Sequence, residues 1–324
     1  MAHNQLMSIQ LGVELDGEYR ALREGAGIVD RSSLGELEVI GDEAADFLQG
    51  QLTNDLESLA PGEGCYAALL SRKGQMQADM RVLRTAEDRF WIDLLEPERI
   101  EAVLRHLNLY RVGREVDVTD LTESRATLSV IGPESETVVG AGPLGVEHSH
   151  RESDLAGAQC RVVSTDRGID LLCSVADASA VAGTIGERGA EQVSEEAAEI
   201  LRVESGRPRF GREMTTETIP QEAGVNERAV SFTKGCYIGQ ETVARLHYKG
   251  KPNRHLRGLK LSEPASTGDP VRHGDREVGR VGTSVVSPAL GAVALAILRR
   301  EAEPGARVDV GTGGATAEVI ELPF

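Results

Sequence analysis

Beyond Leu256 the chain loses helical spacing of its apolar residues and becomes short strand-like runs cut by Gly268-Asp269-Pro270, Gly274-Asp275, Ser287-Pro288 and Glu303-Pro304-Gly305. Gly, Pro and Asp at that density make turns, so the segment can bury apolar side chains only by pairing strands. A small β-barrel over residues 251–324 is the expected outcome.

The preceding part mixes both periods. Residues 36–40 alternate as a strand, and Gly41-Asp42 punctuates a helix in which Ala44, Phe47, Leu48 and Leu52 recur at i, i+3, i+4 and i+8, with Asp42 as its N-cap. Runs 64–70 and 75–83 read as a hairpin around Ser71-Arg72-Lys73-Gly74; strict alternation puts Met76, Ala78, Met80 and Val82 on one face and Gln77, Asp79 and Arg81 on the other. A strand at 89–95 and a helix from Pro97 to about Leu109 complete a β-α-β-β-β-α unit. The order partly repeats: strand 126–131, a short helix after Pro133, strands near 161–164 and 168–173, and helices 177–188 and 195–205. The expected fold class is α+β, with an N-terminal unit at 1–122 completed by about 207–250, a second unit at 123–206 and the barrel.

A length of 324 residues suits two or three compact units. Aromatics make up 3 % and the formal charge is −17, which disfavours both base stacking and a polyphosphate partner, so no nucleic-acid binding is expected. Four of the five lysines (Lys234, Lys249, Lys251 and Lys260) share a stretch with Arg245, Arg254 and Arg257. That stretch is either a solvated basic face or a landing strip for a small polyanion. Cys65, Cys160, Cys173 and Cys236 have neither C-x-x-C pairing nor zinc-like spacing with His, so no metal ligand set is expected. Met1 to Leu11 lacks the apolar run of a signal peptide and no segment approaches a membrane span, which points to a reducing cytoplasm.

Chemistry concentrates in Ser231–Arg245. Gly235 and Gly239 bracket Cys236, and a helix is predicted from Gly239 or Gln240 to before Gly250. Lys234 and that helix start both favour a thiolate at Cys236, against the ordinary role of a lone cysteine as a small hydrophobe. Upstream, Ala197, Ile200 and Leu201 form an apolar stripe whose i+7 position is Glu204. Its carboxylate either faces inward, where it needs a donor or a ligand, or hangs exposed in a fraying last turn before Gly206.

Lys234-Gly235-Cys236-Tyr237-Ile238-Gly239-Gln240-Glu241, with Arg245 after it, resembles the signature of the YgfZ-type branch of the glycine-cleavage T-protein superfamily. Leu201-Arg202-Val203-Glu204-Ser205-Gly206-Arg207-Pro208, then Ile219-Pro220-Gln221-Glu222-Ala223-Gly224, is similar to the superfamily's L-R-x-E-x-G-x-P and x-P-x-E-A-G patterns, and Leu52-Thr53-Asn54-Asp55, Pro61-Gly62 and Lys73-Gly74 fit at the usual spacing. The resemblance implies two ferredoxin-like units around a central cavity holding tetrahydrofolate or a one-carbon derivative. It implies Cys236, Lys234 and Asp79 as catalytic groups, and Glu204, Asp79, Tyr237, Arg245 and Asn54 around the folate. The implied function is support of iron–sulfur cluster assembly or repair, with iron–sulfur client or assembly proteins as partners; the alternative is a folate-dependent aminomethyl- or methyltransferase. Two departures bear on the choice. The acidic pair expected in the hairpin is reduced to Asp79 behind Ala78, and the second-unit loop is the short Asp166-Arg167-Gly168-Ile169-Asp170.

Overall fold

The computed structural model describes residues 14–324, so Met1 to Leu11, where no signal peptide is expected, lies outside the described residues. Helical residues 14–24 (α1) lead into strand β1 (Gly27–Asp30). Strands β2 (Gly35–Ile40), β3 (Gly64–Leu70), β4 (Met76–Ala86), β5 (Arg89–Leu94) and β6 (Asp117–Asp120) build a first sheet in the order β3-β4-β5-β2-β6, with helices α2 (Ala44–Gln51) and α3 (Ile100–Tyr110) between them. Phe47 and Leu48 of α2 and Val103 and Leu107 of α3 pack on Leu37, Val39, Ile92 and Leu94, giving that sheet an apolar outer core. Asp42 does not cap α2; the N-cap is Glu43, without a side-chain bond.

A second sheet is ordered β11-β1-β7-β10-β9-β8. Its strands are β7 (Arg125–Ile131), β8 (His150–Leu155), β9 (Ala158–Ser164), β10 (Gly168–Ser174) and β11 (Glu191–Gln192), covered outside by α4 (Ser135–Val139) and α5 (Ala178–Glu187). β1 pairs antiparallel with β7 and parallel with β11, so this N-terminal strand is built into the second sheet. Residues 122/123 fall between β6 of the first sheet and β7 of the second, but the expected start of the N-terminal unit at residue 1 differs: the first sheet starts at Gly35, and the chain enters it only after contributing β1 to the other one.

Helix α6 (Glu195–Glu204) is capped by Ser194, whose hydroxyl accepts from the Ala197 amide, and packs Val29 and Ile131 against Ile200 and Leu201. Short helices α7 (Pro220–Ala223) and α8 (Asn226–Ala229) and helix α9 (Gln240–Lys249) follow. From this segment Phe210, Met214, Val225, Val230, Tyr237 and Val243 pack on Tyr66, Ala68 and Leu70 of β3. Strands β12 (Arg254–Leu261), β13 (Pro270–His273), β14 (Arg276–Ser287), β15 (Gly291–Arg299), β16 (Arg307–Val310) and β17 (Ala315–Ile320) close into a six-stranded barrel around Leu259, Val281, Ala296 and Val319. The chain is thus α+β with a terminal barrel, as the loss of helical period beyond Leu256 implies. Among the described residues no helix is long and apolar enough to cross a membrane.

One register feature departs from strict alternation. Leu69 pairs with Ala78 but Leu70 with Met76, so Gln77 is the extra residue of a β-bulge. Ala78, Met80 and Val82 face the outer core, whereas Met76 turns to the opposite face with Leu70.

Candidate functional site

The inner faces of the two sheets meet in a layer that is apolar at one side, where Leu83, Trp91, Val163 and Leu172 pack, and charged at the other. Register explains the charged part. On the first sheet Tyr66, Arg81, Asp93 and Glu36 stand in one row across β3, β4, β5 and β2. On the second, Ser129 of β7 pairs with Asp170 of β10. Arg81 bridges the sheets: Nε donates to Asp93 Oδ2 at 2.6 Å and Nη1 to Asp170 Oδ2 at 2.5 Å, while Ser129 donates to Asp170 Oδ1 at 2.6 Å. Although burial opposes its charge, Arg81 and the Ser129 hydroxyl hold the Asp170 carboxyl below the usual carboxylate range.

Beside this bridge lies a cavity of about 210 Å³, walled by Tyr66, Arg81 and Asp93 from the first sheet, Ile131 and Asp170 from the second, and Ala198, Leu201 and Arg202 from α6. Its rim carries paired charges: Arg207 with Asp166 at 3.1 Å, Arg228 with Glu147 at 2.7 Å and Arg202 with Glu199 at 2.7 Å. His148 also lines it, in a left-handed backbone conformation (φ 71°) that a non-glycine residue adopts only when its surroundings hold it there. Burial, with Arg81 and Arg228 nearby, pushes its pKa down to about 3, so the ring is neutral, and its buried Nδ1 has no partner. Asp93 Oδ1 is likewise buried and unpartnered. A second chamber of about 510 Å³ adjoins the first, sharing Asp166, Arg167, Ser205 and Arg207, and is lined further by Leu290, Pro323 and Phe324.

The motif segment 201–208 and the short loop 166–170 supply walls of the inner cavity, but none of the residues expected to be catalytic or to contact folate lines it. Asp79 comes nearest: it is 1 % exposed and its Oδ2 accepts from the hydroxyl of Tyr66, a wall residue, at 2.8 Å. Burial raises its pKa, and Oδ1 has no partner. Glu204 faces inward, as its place on the apolar stripe suggests, but its Oε1 accepts from Tyr19 of α1 at 2.8 Å and from Ser287 of β14 at 2.6 Å, and it borders the outer chamber. Lys234, Asn54 and Tyr237 come together elsewhere. Lys234 Nζ donates to the carbonyls of Gln49, Leu52 and Asn54 at 2.6–2.7 Å, and lies 5.2 Å from the Tyr237 ring centre. Asn54 donates to the carbonyls of Tyr66 and Arg228, and Tyr237 is 7 % exposed with its hydroxyl unpartnered. Arg245 is exposed on α9 and lines neither chamber.

Contrary to the expectation from sequence, Lys234 is not free to activate Cys236: its ammonium turns inward to end α2, while Cys236 is exposed. Arg254, counted with the basic stretch, is committed to Glu222, to which it donates at 3.0 and 2.8 Å. Ala78 faces the outer core at 1 % exposure, so an acid at that position would point away from the cavity; its absence removes nothing from the site. Sequence reading missed Arg81, Asp93, His148 and Asp170. The signal for the first two was a charged residue on the polar face of an otherwise apolar strand.

Residues 12–234 match the family model of the GCVT N-terminal domain, and residues 254–324 match that of the glycine cleavage T-protein C-terminal barrel domain. The chain is similar to an aminomethyltransferase of Rubrobacter xylanophilus, 29 % identical over 96 % of this chain and 86 % of the relative. It is also similar to one of Symbiobacterium thermophilum, 30 % identical over 95 % and 88 %. The crystal structure of the glycine cleavage system aminomethyltransferase T from Bartonella henselae shares the fold, with a TM-score of 0.84 at 24 % identity over 96 % of this chain and 89 % of that one.

Proposed function

The chain belongs to the glycine cleavage T-protein family, whose members use tetrahydrofolate, and from that premise we propose that it is a folate-dependent one-carbon transferase acting in the inter-sheet cavity. One observation carries the reading: two chambers that share Asp166, Arg167, Ser205 and Arg207 in their walls together offer the volume a drug-sized ligand needs, with unpartnered polar atoms at the inner one and arginines at the outer one. The donor set fits a reduced folate. Neutral His148 Nδ1 and Asp93 Oδ1 can each take an N–H of a ring, Leu201 and Ile131 offer apolar faces, and Arg167 and Arg207, which line both chambers, are the cations that could meet the carboxylates of a folate tail. The bound folate supplies the nitrogen that carries or receives the one-carbon unit. Asp79 and Tyr66 are the groups on this chain that can move the accompanying proton, from the cavity wall through the phenol to the buried carboxylate.

Calorimetry with tetrahydrofolate, followed by an aminomethyl-transfer assay with a lipoyl carrier protein, tests the proposal. Binding plus turnover above background supports it; folded protein that binds no tetrahydrofolate overturns it.

The exposure of Cys236 within an octapeptide resembling the YgfZ-type signature favours a second reading, a folate-binding factor that maintains iron–sulfur enzymes. Folate binding without transfer, together with failure of Cys236→Ser to restore cluster-dependent enzymes in a deletion strain, selects this reading.

A further inference from the structure

Two carboxylates confront each other beside the inner cavity. Glu36 on β2 stands directly opposite Asp93 on β5, a pairing that sets side chains roughly 5 Å apart at Cβ. They are 5 % and 2 % exposed. Arg81 on β4 is next in the row and gives Nε and Nη2 to Asp93 Oδ2 and Nη1 to Asp170, and it reaches Glu36 only through its charge, without a hydrogen bond. From the second sheet Glu36 receives the Thr127 hydroxyl at 2.7 Å, and feels Arg125 and the Cys173 thiol at longer range. Arg125 itself lies over the Trp91 ring. Asp93 and Asp170 thus divide one guanidinium between them, while Glu36, beside Asp93, has among the described residues a hydroxyl and no bonded cation. Two like charges in adjacent positions of a water-poor layer repel, and the remedy open to carboxyls is to keep a proton.

We propose that Glu36 and Asp93 hold one proton between them, and that Asp93 Oδ1 accepts an N–H donor of the cavity ligand in competition with that proton. Ligand binding is then coupled to proton release. Burial and the Asp93 charge bring Glu36 to about 7, which places the coupling in the neutral range. Asp93 lines the cavity with Oδ2 fixed by Arg81 and Oδ1 buried without a partner, which leaves Oδ1 as the one acceptor of this carboxylate still to be satisfied; Glu36, which does not line the cavity, acts through it as a positioning residue. The ligand class is a neutral heterocycle with N–H donors along one edge, which rests on the folate reading above.

Carboxyl carbon-13 NMR on ligand-free protein reads the shared proton without any ligand. One of the two side chains should titrate near neutrality, and that titration should vanish in Glu36→Gln, which keeps the shape of the protonated acid and the Thr127 bond. Calorimetry of tetrahydrofolate at pH 7 in buffers of different ionisation enthalpy reads the coupling. Wild type should release a fraction of a proton and Glu36→Gln none, while Asp93→Asn should bind at least tenfold more weakly. Both carboxyls titrating in the ordinary carboxylate range, or equal proton counts in wild type and Glu36→Gln, overturns the inference and leaves the folate reading standing. Absence of any folate binding overturns that reading and the donor contact together.

Discussion

Lys234 shows how far a residue's role depends on what the chain brings to it. Beside Cys236 in sequence it suggests an activating cation; in space it closes the C-terminal end of α2, where carbonyls have no helical partner and a positive charge is favoured. Burial lowers its pKa to about 8, which leaves it mostly charged at neutral pH. Lys234→Met should strand three carbonyls and cost about 1–3 kcal/mol, read as a lower urea midpoint at unchanged m-value. Cys236 is the opposite case, exposed and free, whereas Cys160 and Cys173 are buried and burial pushes the Cys65 thiol up to about 12. Iodoacetamide should therefore modify Cys236 alone in the native protein, checked by peptide mass mapping. For Asp79, which fixes the Tyr66 hydroxyl, Asp79→Asn should lower one-carbon transfer by roughly 10²–10⁴-fold while changing tetrahydrofolate affinity far less, a split that single-turnover kinetics with separate binding measurements would show.

At the scale of elements, apolar periodicity was sufficient wherever one face is buried against one neighbour. Helices α2, α3, α6 and α9 and the β3–β4 hairpin fall where their spacing puts them. It was insufficient for β8, whose His150-Arg151-Glu152-Ser153-Asp154-Leu155 is polar because it edges its sheet, and for β1, whose partners arrive a hundred residues later. The bulge at Gln77 was also illegible, since an extra residue leaves no trace in a period-2 pattern. Gly239 holds two elements in place. It starts α9 at φ 86°, and a Cβ there would stand 2.5 Å from the Ser71 carbonyl oxygen in the β3–β4 turn. Because that obstacle is backbone, Gly239→Ala should destabilise by at least about 1–2 kcal/mol and lower the melting temperature, with local loosening of the turn visible by hydrogen exchange.

Across the whole molecule the cavity was the least readable feature, because it is assembled from both sheets, α6 and the 147–148 segment, and its polar residues become a site only once the sheets face each other. Burying so many titratable groups between two sheets gives stability a definite pH profile. His148 and His150 fall from 6.5 to about 3 and about 4, chiefly by burial, so acidification below 6.5 favours the unfolded chain, which binds more protons. Glu36 rises from 4.5 to about 7, so its contribution is full below 4.5 and is lost as pH climbs through 7. Calorimetric melting temperatures should rise towards pH 6.5 and then fall slightly to about 7.5, and Glu36→Gln should remove that fall. The crossing of β1 into the second sheet also fixes an order of events during synthesis. Residues 27–30 leave the ribosome first, yet β7 ends at Ile131 and β11 at Gln192. At roughly 5–20 residues per second the earliest strand waits several seconds or more with both edges open, an unpaired surface on the growing chain until β7 arrives.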